Sequence, residues 1–386
     1  MKKKVDIVVR HFWPNKLTAL SRTVHEISSL LNPYYSITIH TDKNSYLNTE
    51  TKFRGLMLKP HTKLSLEEIG KESDIIHFFG SLTGAYFFLR SMNYKNASIV
   101  LSLYSSKLSL HDISSLKFSD FFRDKRTRFL LNPLAGTLIP DFHLKKILNM
   151  ADKIILNSYS PKSFYQRLLG DNIIRIPHGV DTRKFRPIPK EKARERIGLD
   201  SSKNIILYAG HDYLVRGIDT LIHATKLLLK KSSDIYLVLL LNPMPNSPIN
   251  FIKNLGFKYL GKNVEIVTKY VKNIEDYYNA ADVIALPYRC SAELPSYPFV
   301  LLESMACAKP VVTTRIGAIP EIVSNERNGI LINPKSHYEL ANSIVRIAKD
   351  DCFAKEIGRN ARESVKALDW KIVARRLTKV YENVTN

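Results

Sequence analysis

Short apolar segments alternate with helical patterns along the first half of the chain, and this alternation restricts the fold more than any other feature. The opening strand, Val5–Val9, is followed by a loop around Pro14 and by helical periodicity from about Ala19 to Leu31. The same order recurs with predicted strands at Ser36–His40, Asp74–Phe78, Ser98–Leu103, Lys153–Asn157 and Ile173–Ile176. Apolar strands that each precede a helix are typical of a parallel sheet covered by helices on both faces.

A second alternating series follows an interruption. Residues 177–199 break the pattern with Pro187, Pro189 and the charge run Lys190–Arg196, and we place a domain junction there. The later predicted strands are Asn204–Ala209, Ile235–Leu241, Val264–Val267, Asp282–Pro287 and Val311–Thr314. We therefore expect an α/β chain of two Rossmann-like domains. Because ligands of such sheets bind beyond the carboxyl ends of the strands, we expect the site in the cleft between the domains.

The chain is strongly basic. Its 386 residues include 58 Lys and Arg against 36 Asp and Glu, which gives a formal net charge of +22. This charge indicates an anionic partner, such as nucleic acid, anionic lipid or a phosphorylated small molecule. The longest apolar stretch, Ile235–Leu241, is too short to cross a bilayer, which takes about 20 residues, and we expect a cytoplasmic protein. Cys290, Cys307 and Cys352 lack paired spacing and predict neither a disulfide framework nor a zinc site.

A basic loop after the predicted strand Asn204–Ala209 has the composition of a phosphate site. Gly210 permits a tight turn, and Arg216 supplies a guanidinium. A helix begins near Asp219, so its positive end and its first N–H groups face the same loop. The same residues also fit an ordinary solvated connection between a strand and a helix, and the pattern alone leaves both interpretations open.

The predicted helix Phe299–Ala308 carries a single carboxylate, Glu303, in an apolar stretch. A buried ionised glutamate needs hydrogen-bonding partners. The two adjacent hydroxyls of a ribose would provide them, and a neighbouring arginine or a backbone cap would do so equally well. The preceding loop and the start of this helix would line the cleft, where backbone N–H groups can hold a hydroxyl or a phosphate.

Together these segments resemble the retaining GT-B glycosyltransferases of family 4, the group 1 glycosyl transferases, whose members move a sugar from a nucleotide donor. The matching segments are Ile176–Asp181 with Phe185, Gly210–Gly217, Ala280–Pro287, Phe299–Val312, Gly317–Val323, Asn328–Ile332 and Asp369–Trp370. The resemblance implies a GT-B fold, with two Rossmann-like domains facing each other across a cleft. Residues 1–180 would form the acceptor side and 181–365 the nucleotide-sugar side, and a last helix in 366–386 would pack back on the first domain.

The resemblance also implies individual site residues. Glu303 takes the position of the glutamate that binds the nucleotide ribose. His211 stands where the family usually has arginine, and Arg216 stands where it has lysine. The residues expected on the donor diphosphate are Gly210, His211 and Arg216, and those expected to contact the donor sugar and phosphate through the backbone are Pro298, Phe299 and Val300.

Two family motifs are incomplete here. The first glutamate of the family's Glu-x7-Glu motif falls at Pro295, and Glu293, two residues earlier, is our candidate for that role. His77 matches the first histidine of the family's His-x-His motif, but Phe79 stands where the second, active-site histidine is usual. We take His77 and Glu293 as the catalytic candidates. The alternatives are a core histidine and a surface glutamate.

Residues 117–131 form a basic segment with phenylalanines at helical spacing. Such a segment can lie in the interface of an anionic membrane, and it can equally be an ordinary helix that buries its phenylalanines. We hypothesise peripheral contact with the cytoplasmic face of a membrane through this segment.

The sequence thus predicts a glycosyltransferase that moves a sugar, with retention of configuration, from a nucleotide-sugar donor to a hydroxyl of a glycan or lipid-linked acceptor. We expect no cofactor and no metal, because no Asp-x-Asp motif follows a strand and basic residues can neutralise a diphosphate. One alternative is a degenerate GT-B protein that binds a nucleotide or a partner without turnover. A nucleic-acid-binding protein is a weaker alternative, since the sequence lacks recognisable nucleic-acid-binding motifs, and no nucleic acid is expected as a partner.

Overall fold

A computed structural model describes residues 2–10, 12, 19–42, 47, 49–61, 69, 72–91, 96–104, 138–159, 162–242, 248–290 and 297–385. These residues form two compact units, each built around one sheet. Unit 1 comprises the described residues up to Tyr104, those from Leu138 to Gly179, and those from Trp370 onward, whereas unit 2 is Val180–Asp369. The two α/β domains predicted from the alternating pattern are therefore confirmed.

The strands of unit 1 are β1 (Lys4–Val9), β2 (Ser36–Asp42), β3 (Thr51–Phe53), β4 (Leu56–His61), β5 (Ile75–Gly80), β6 (Ser98–Leu103), β7 (Lys153–Leu156) and β8 (Ile173–Arg175). Its helices are α1 (Ala19–Leu31), α2 (Leu82–Arg90), α3 (Asp141–Leu148), α4 (Lys162–Leu169) and, at the end of the chain, α12 (Trp370–Thr385). Within the described residues the sheet order is β3-β4-β2-β1-β5-β6-β7-β8. Neighbouring strands are parallel except β3 and β4, which form an antiparallel pair.

The central strand β5 is buried along nearly its whole length, as expected for a strand with helices on both faces. It pairs with β1 on one side, in a register that sets Ile7 opposite His77, and with β6 on the other. Helix α12 packs against α1 and reaches β5 through Tyr381. The last helix is thus part of the core of unit 1.

The strands of unit 2 are β9 (Asn204–His211), β10 (Ile235–Asn242), β11 (Val264–Val267), β12 (Val283–Leu286), β13 (Val311–Thr314) and β14 (Ile330–Ile332). Its helices are α5 (Lys190–Ile197), α6 (Ile218–Leu229), α7 (Ile249–Leu260), α8 (Ile274–Ala280), α9 (Phe299–Ala306), α10 (His337–Lys349) and α11 (Asp351–Lys366). The sheet order is β11-β10-β9-β12-β13-β14, and the paired strands are parallel. The order of the strands along the chain reverses between β9 and β12.

The charge run that we interpreted as part of an interdomain break forms helix α5. Gly198, with φ of +70°, ends this helix. Arg194 lies on its inner face and is only 2% exposed. Its guanidinium donates to the carbonyl of Ala280 at 2.9 Å and to the carboxylate of Asp282 at 2.6 Å. The buried and fully paired side chain of Arg194 therefore anchors helix α5 to unit 2, although most residues of this helix are charged.

The chain passes between the two units at 179/180 and again at 369/370. A Cβ placed on Gly179 would lie 2.3 Å from the indole of Trp370, so this close approach requires glycine. The N–H of Val180 donates to the carbonyl of Leu368 at 2.9 Å. Residues 366–369, which we had grouped with the last helix, therefore belong to unit 2.

None of the helices in the described part of the chain is both long and apolar enough to cross a membrane.

Candidate functional site

The site predicted from the sequence lies at one edge of the sheet of unit 2. Strands β10 and β11 lie to one side of β9, whereas β12, β13 and β14 lie to the other. The connections that leave the carboxyl ends of β9 and β12 therefore run to opposite sides. Ligands of parallel α/β sheets bind in the crevice that such a reversal creates. The two connections are residues 210–217 and 287–298, the segments that carry the predicted donor-binding residues.

These two connections are joined at several points. The N–H of Arg289 donates to the carbonyl of Val215 at 2.8 Å. Gly217 has φ of +77°, and a Cβ added there would lie 1.9 Å from the carbonyl oxygen of Pro287. Both the backbone conformation and the close approach require glycine at this position. Residues 287–290 consequently pack against residues 215–217, and this packing depends on Gly217.

Arg216 sits in a short 3₁₀ turn, Leu214–Arg216, directly before helix α6. Its guanidinium lies 5.4 Å from the ring centre of Tyr288, a residue that follows β12. Burial raises the pKa of Tyr288 to about 12, although the charge of Arg216 and its hydrogen bond act in the opposite direction. Tyr288 therefore stays neutral at physiological pH, and its ring holds the guanidinium through a cation–π contact. Arg289 forms an ion pair with Asp219 in the first turn of α6.

His211 ends β9 and is half-buried. Its Nδ1 lies 3.2 Å from the carbonyl oxygen of Asn242, at the end of β10. A carbonyl only accepts, so this contact places a proton on Nδ1 and leaves the lone pair of the neutral ring on Nε2. His211 can donate to a phosphate through Nε2 only when both nitrogens carry protons. Tyr208 donates its hydroxyl to the carbonyl of His211 at 2.8 Å and so supports the turn.

Asp212, the next residue, is fully buried. Neither of its carboxylate oxygens has a hydrogen-bond partner in the described part of the structure. Burying a carboxylate without hydrogen bonds costs free energy. Our sequence analysis did not single out Asp212, because burial of a polar loop residue leaves no local signal.

Glu303 lies in the second turn of helix α9, which begins directly after Pro298. Its side chain is 3% exposed, and Oε2 accepts a hydrogen bond of 2.8 Å from the hydroxyl of Tyr278 in α8. Phe299 and Val300, in the first turn, are half-buried. Glu303 thus lies in the helix that directly follows the connection 287–298, one turn from its N-terminus.

His77 lies on strand β5, in the core of unit 1. It is fully buried, and its ring nitrogens contact the hydroxyls of Tyr381 at 2.7 Å and Ser102 at 2.8 Å. The ring of Phe79 lies 4.0 Å from it. Burial lowers the pKa of His77 to about 3, so the ring is neutral at physiological pH. A buried ring with both nitrogens engaged is not placed to exchange protons with a substrate, and this geometry favours the core interpretation over the catalytic one.

Several predictions fall outside the described residues: Glu293, Pro295 and the basic segment 117–131. Their assigned roles stay predictions. Within the part of the chain that is described, no group of three or more His, Cys, Asp or Glu side chains is arranged to hold a metal ion.

Sequence reasoning also missed two tyrosines that hold the predicted residues. Tyr288 follows β12 directly, and its place at a strand end was a usable signal. Tyr278 gave no such signal, because it is 25 residues away from Glu303 in the chain and lies within an unremarkable helical pattern.

Comparison with known proteins finds glycosyltransferases among the relatives of this chain. The family described as glycosyl transferases group 1 matches residues 189–364. A D-inositol 3-phosphate glycosyltransferase from Saccharomonospora viridis is 25% identical over 248 residues, which cover 61% of this chain and 57% of that protein. The corresponding enzyme of Xylanimonas cellulosilytica is 26% identical over 254 residues, with 62% and 59% covered. The chain thus spans a little over half of the length of these curated relatives.

Solved structures share the fold over nearly the whole chain at low identity. Sucrose-phosphate synthase from Thermosynechococcus elongatus superposes with a TM-score of 0.79 and 22% identity, covering 99% of each chain. HepE from Anabaena, solved in complex with UDP, gives a TM-score of 0.75 and 16% identity, covering 99% of this chain and all of that one. The protein therefore has the GT-B fold of these structures, and the fold predicted from the sequence is confirmed. Residues 189–364, a little under half of the chain, match the family that the sequence motifs predicted.

Proposed function

We propose that the protein is a retaining glycosyltransferase that moves a sugar from a nucleotide-sugar donor to a hydroxyl of a glycan or lipid-linked acceptor. The observation that carries this proposal is the arrangement at the edge of unit 2. Arg216 is held on Tyr288, in the connection that follows β12, and Glu303 lies in helix α9, which follows the same connection. A cation and a carboxylate in this relation match the two ends of a nucleoside diphosphate, which presents an anionic diphosphate and a ribose diol.

In this proposal the diphosphate lies over residues 210–217. The guanidinium of Arg216 and the positive end of helix α6 supply charge, and Gly210 lets the backbone come close. His211 adds a donor when both of its nitrogens are protonated. As the bond from the anomeric carbon to the phosphate oxygen breaks, negative charge builds up on the leaving diphosphate. Positive charge at this position stabilises the transition state more than the ground state.

The ribose and the sugar complete the donor. Glu303 would accept hydrogen bonds from the ribose hydroxyls. The first turn of α9, with Pro298, Phe299 and Val300, would contact the donor through its backbone, and Glu293 would hold the transferred sugar. Holding both substrates in a reactive orientation supplies a large part of the rate enhancement in such a reaction.

Retention of configuration follows from attack on the same face that the diphosphate leaves. The acceptor oxygen forms a bond to the anomeric carbon, the bond from that carbon to the diphosphate breaks, and the acceptor proton passes to a diphosphate oxygen. This route asks no proton transfer of His77, which agrees with its buried, neutral ring. We assign His77 a supporting role in unit 1.

We propose that unit 1 binds the acceptor and that the basic segment 117–131 adds contact with an anionic membrane surface. The net charge of +22 supports an anionic partner. Unit 1 also exposes aromatic side chains, with Phe87 of α2 59% exposed and Phe142 of α3 68% exposed. Pelleting with anionic vesicles should be lost when Arg123, Lys125, Arg126 and Arg128 are changed to glutamate. Failure of the wild type to bind such vesicles would remove the membrane contact.

Product analysis tests the proposed reaction. UDP-glucose and other UDP-, GDP- and ADP-sugars are incubated with a panel of acceptors that includes inositol phosphates, because the curated relatives are named for such an acceptor. The expected product carries the sugar in the anomeric configuration of the donor, as read by proton NMR. Saturable donor binding without product for any acceptor would favour the non-catalytic GT-B alternative.

A further inference from the structure

Glu303 does not stand alone in the core of unit 2. The hydroxyl of Tyr278 donates to its Oε2 at 2.8 Å, and both side chains are buried. Tyr278 comes from helix α8, and its ring packs near that of Phe185 with 6.0 Å between ring centres. Packing thus holds the tyrosine ring in place independently of its hydrogen bond to Glu303.

The residue that donates to Oε2 of Glu303 is a tyrosine and not an arginine. An arginine at this place would neutralise the carboxylate and occupy it in a bidentate manner. A tyrosine hydroxyl instead donates a single hydrogen bond to one carboxylate oxygen. The charge of Glu303 is also felt by Cys307, one turn further along α9, where it adds to burial in raising the pKa of the thiol. The contact with Tyr278 therefore fixes one oxygen of the Glu303 carboxyl group.

A carboxylate has about four acceptor positions on its two oxygens, and a tyrosine hydroxyl uses one of them. The ribose of a nucleotide offers two neighbouring hydroxyl donors. These can bind in a fixed manner only if the plane of the carboxylate is held, because a carboxylate that rotates freely loses orientational preference.

We propose that Tyr278 is a positioning residue for nucleotide recognition: its hydroxyl sets the carboxylate of Glu303 in the orientation that receives the ribose diol. This inference rests on the proposed function, since it assumes a nucleoside diphosphate as ligand. Tyr278 does not touch the nucleotide and acts through Glu303.

The test compares ribonucleotides with their 2′,3′-dideoxy counterparts. Dissociation constants of UDP, GDP and ADP, and of the corresponding dideoxynucleoside diphosphates, are measured by calorimetry for the wild type and for Tyr278→Phe. The variant keeps the buried ring and removes only the hydroxyl. We expect it to bind the preferred ribonucleotide roughly tenfold more weakly, because a hydrogen bond to a charged group is lost, and to bind the dideoxy form with unchanged affinity. Tyr277→Phe, on the same helix, is the matched control and should keep the preference for ribose.

The outcomes separate the two proposals. If the folded wild type binds none of these nucleotides, both the proposed function and this inference are overturned. If the wild type prefers the ribonucleotide and Tyr278→Phe prefers it equally, only the inference fails. An equal loss of affinity for both nucleotide types would also overturn it, because it would show a general effect on structure.

A second comparison, between Glu303→Gln and the double variant Tyr278→Phe/Glu303→Gln, does not require the single variant Tyr278→Phe to fold. In Glu303→Gln the neutral amide no longer needs a tyrosine to support a buried charge. If Tyr278 acts through Glu303, the double variant Tyr278→Phe/Glu303→Gln should discriminate between the two nucleotides no less than Glu303→Gln alone. A further loss of discrimination in the double variant would contradict the proposal.

Discussion

The hydroxyl of Tyr381, in the last helix, lies 2.7 Å from Nδ1 of His77, in the central strand of unit 1. The other nitrogen of the same ring contacts Ser102 of the neighbouring strand at 2.8 Å. One buried imidazole therefore connects β5, β6 and α12, elements that come from distant parts of the chain. This connection explains why the C-terminal helix belongs to the first unit.

Changing Tyr381 to phenylalanine should destabilise unit 1. The ring remains, but Nδ1 of His77 loses its buried partner, and we expect the free energy of unfolding to fall by about 1–3 kcal/mol. Urea denaturation followed by circular dichroism measures this change. Tyr338→Phe is the control, because Tyr338 is 64% exposed and its substitution should change stability by less than about 0.5 kcal/mol. Equal effects of the two substitutions would contradict the account.

Burial of His77 should also make the folded protein less stable as the pH is lowered below 6.5. Its pKa in the folded protein is about 3, against 6.5 for an ordinary histidine. Below pH 6.5 the unfolded chain therefore binds a proton that the folded chain does not bind until about pH 3. The stabilisation is fully present above pH 6.5 and is lost as the pH falls, at about 1.4 kcal/mol per pH unit for this ring.

Unfolding free energies measured at intervals between pH 7 and pH 4 test this expectation. His77→Gln, which does not titrate in this range, should have a slope shallower than that of the wild type by the same amount, about 1.4 kcal/mol per pH unit. The exposed His143→Gln should follow the wild type. Parallel pH profiles for the wild type and His77→Gln would show that the buried ring is not the cause.

Gly217→Ala should disrupt the paired loops of unit 2. The position has φ of +77°, and the new Cβ would meet the carbonyl oxygen of Pro287. Gly198→Ala is the matched control, since Gly198 has φ of +70° with no neighbouring atom within 4 Å of an added Cβ. We expect a cost of about 1 kcal/mol at Gly198 from the backbone alone, and at least about 2 kcal/mol more at Gly217. Thermal unfolding gives both values, and equal costs would mean that the loops do not pack as described.

Asp212→Asn should stabilise the protein. Asp212 is fully buried and its side chain has no hydrogen-bond partner in the described residues. Because burying an unpaired acidic group costs more than burying an amide, the substitution should raise the free energy of unfolding by about 1–2 kcal/mol. The exposed Asp234→Asn serves as the control for the same chemical change. A loss of stability in Asp212→Asn would show that the carboxylate is bonded in solution.

The fold could be predicted because its signal is local. Most of the parallel strands are short apolar runs followed by a helical pattern, and this is visible without knowledge of any partner. Strands Thr51–Phe53, Leu56–His61 and Ile330–Ile332 were missed, because the first and last have only three residues and the second includes Lys59 and Pro60. Helix α5 was missed as a packed element because the pairing of Arg194 with Asp282 joins residues 88 positions apart.

The candidate site could be predicted in part for the same reason. Gly210, Arg216 and Glu303 stand at fixed distances from strand ends and helix starts, so their grouping at one edge follows from the topology. The environment of His77 could not be predicted, because Tyr381 is 304 residues away in the chain and no local pattern marks the contact. Tyr278 could not be predicted because no local pattern marks its contact with Glu303, 25 residues away, whereas the place of Tyr288 directly after a strand was a usable signal.

The measurement that tests the central proposal most directly is calorimetric binding of UDP, GDP and ADP to the wild type, Arg216→Gln, Glu303→Gln and the exposed control Arg183→Gln. We predict saturable binding of one of these nucleotides to the wild type and the control, weakened about tenfold or more in each of the other two variants. Absence of binding to the folded wild type, or equal affinity in all four proteins, would contradict a nucleotide site at this edge of the sheet.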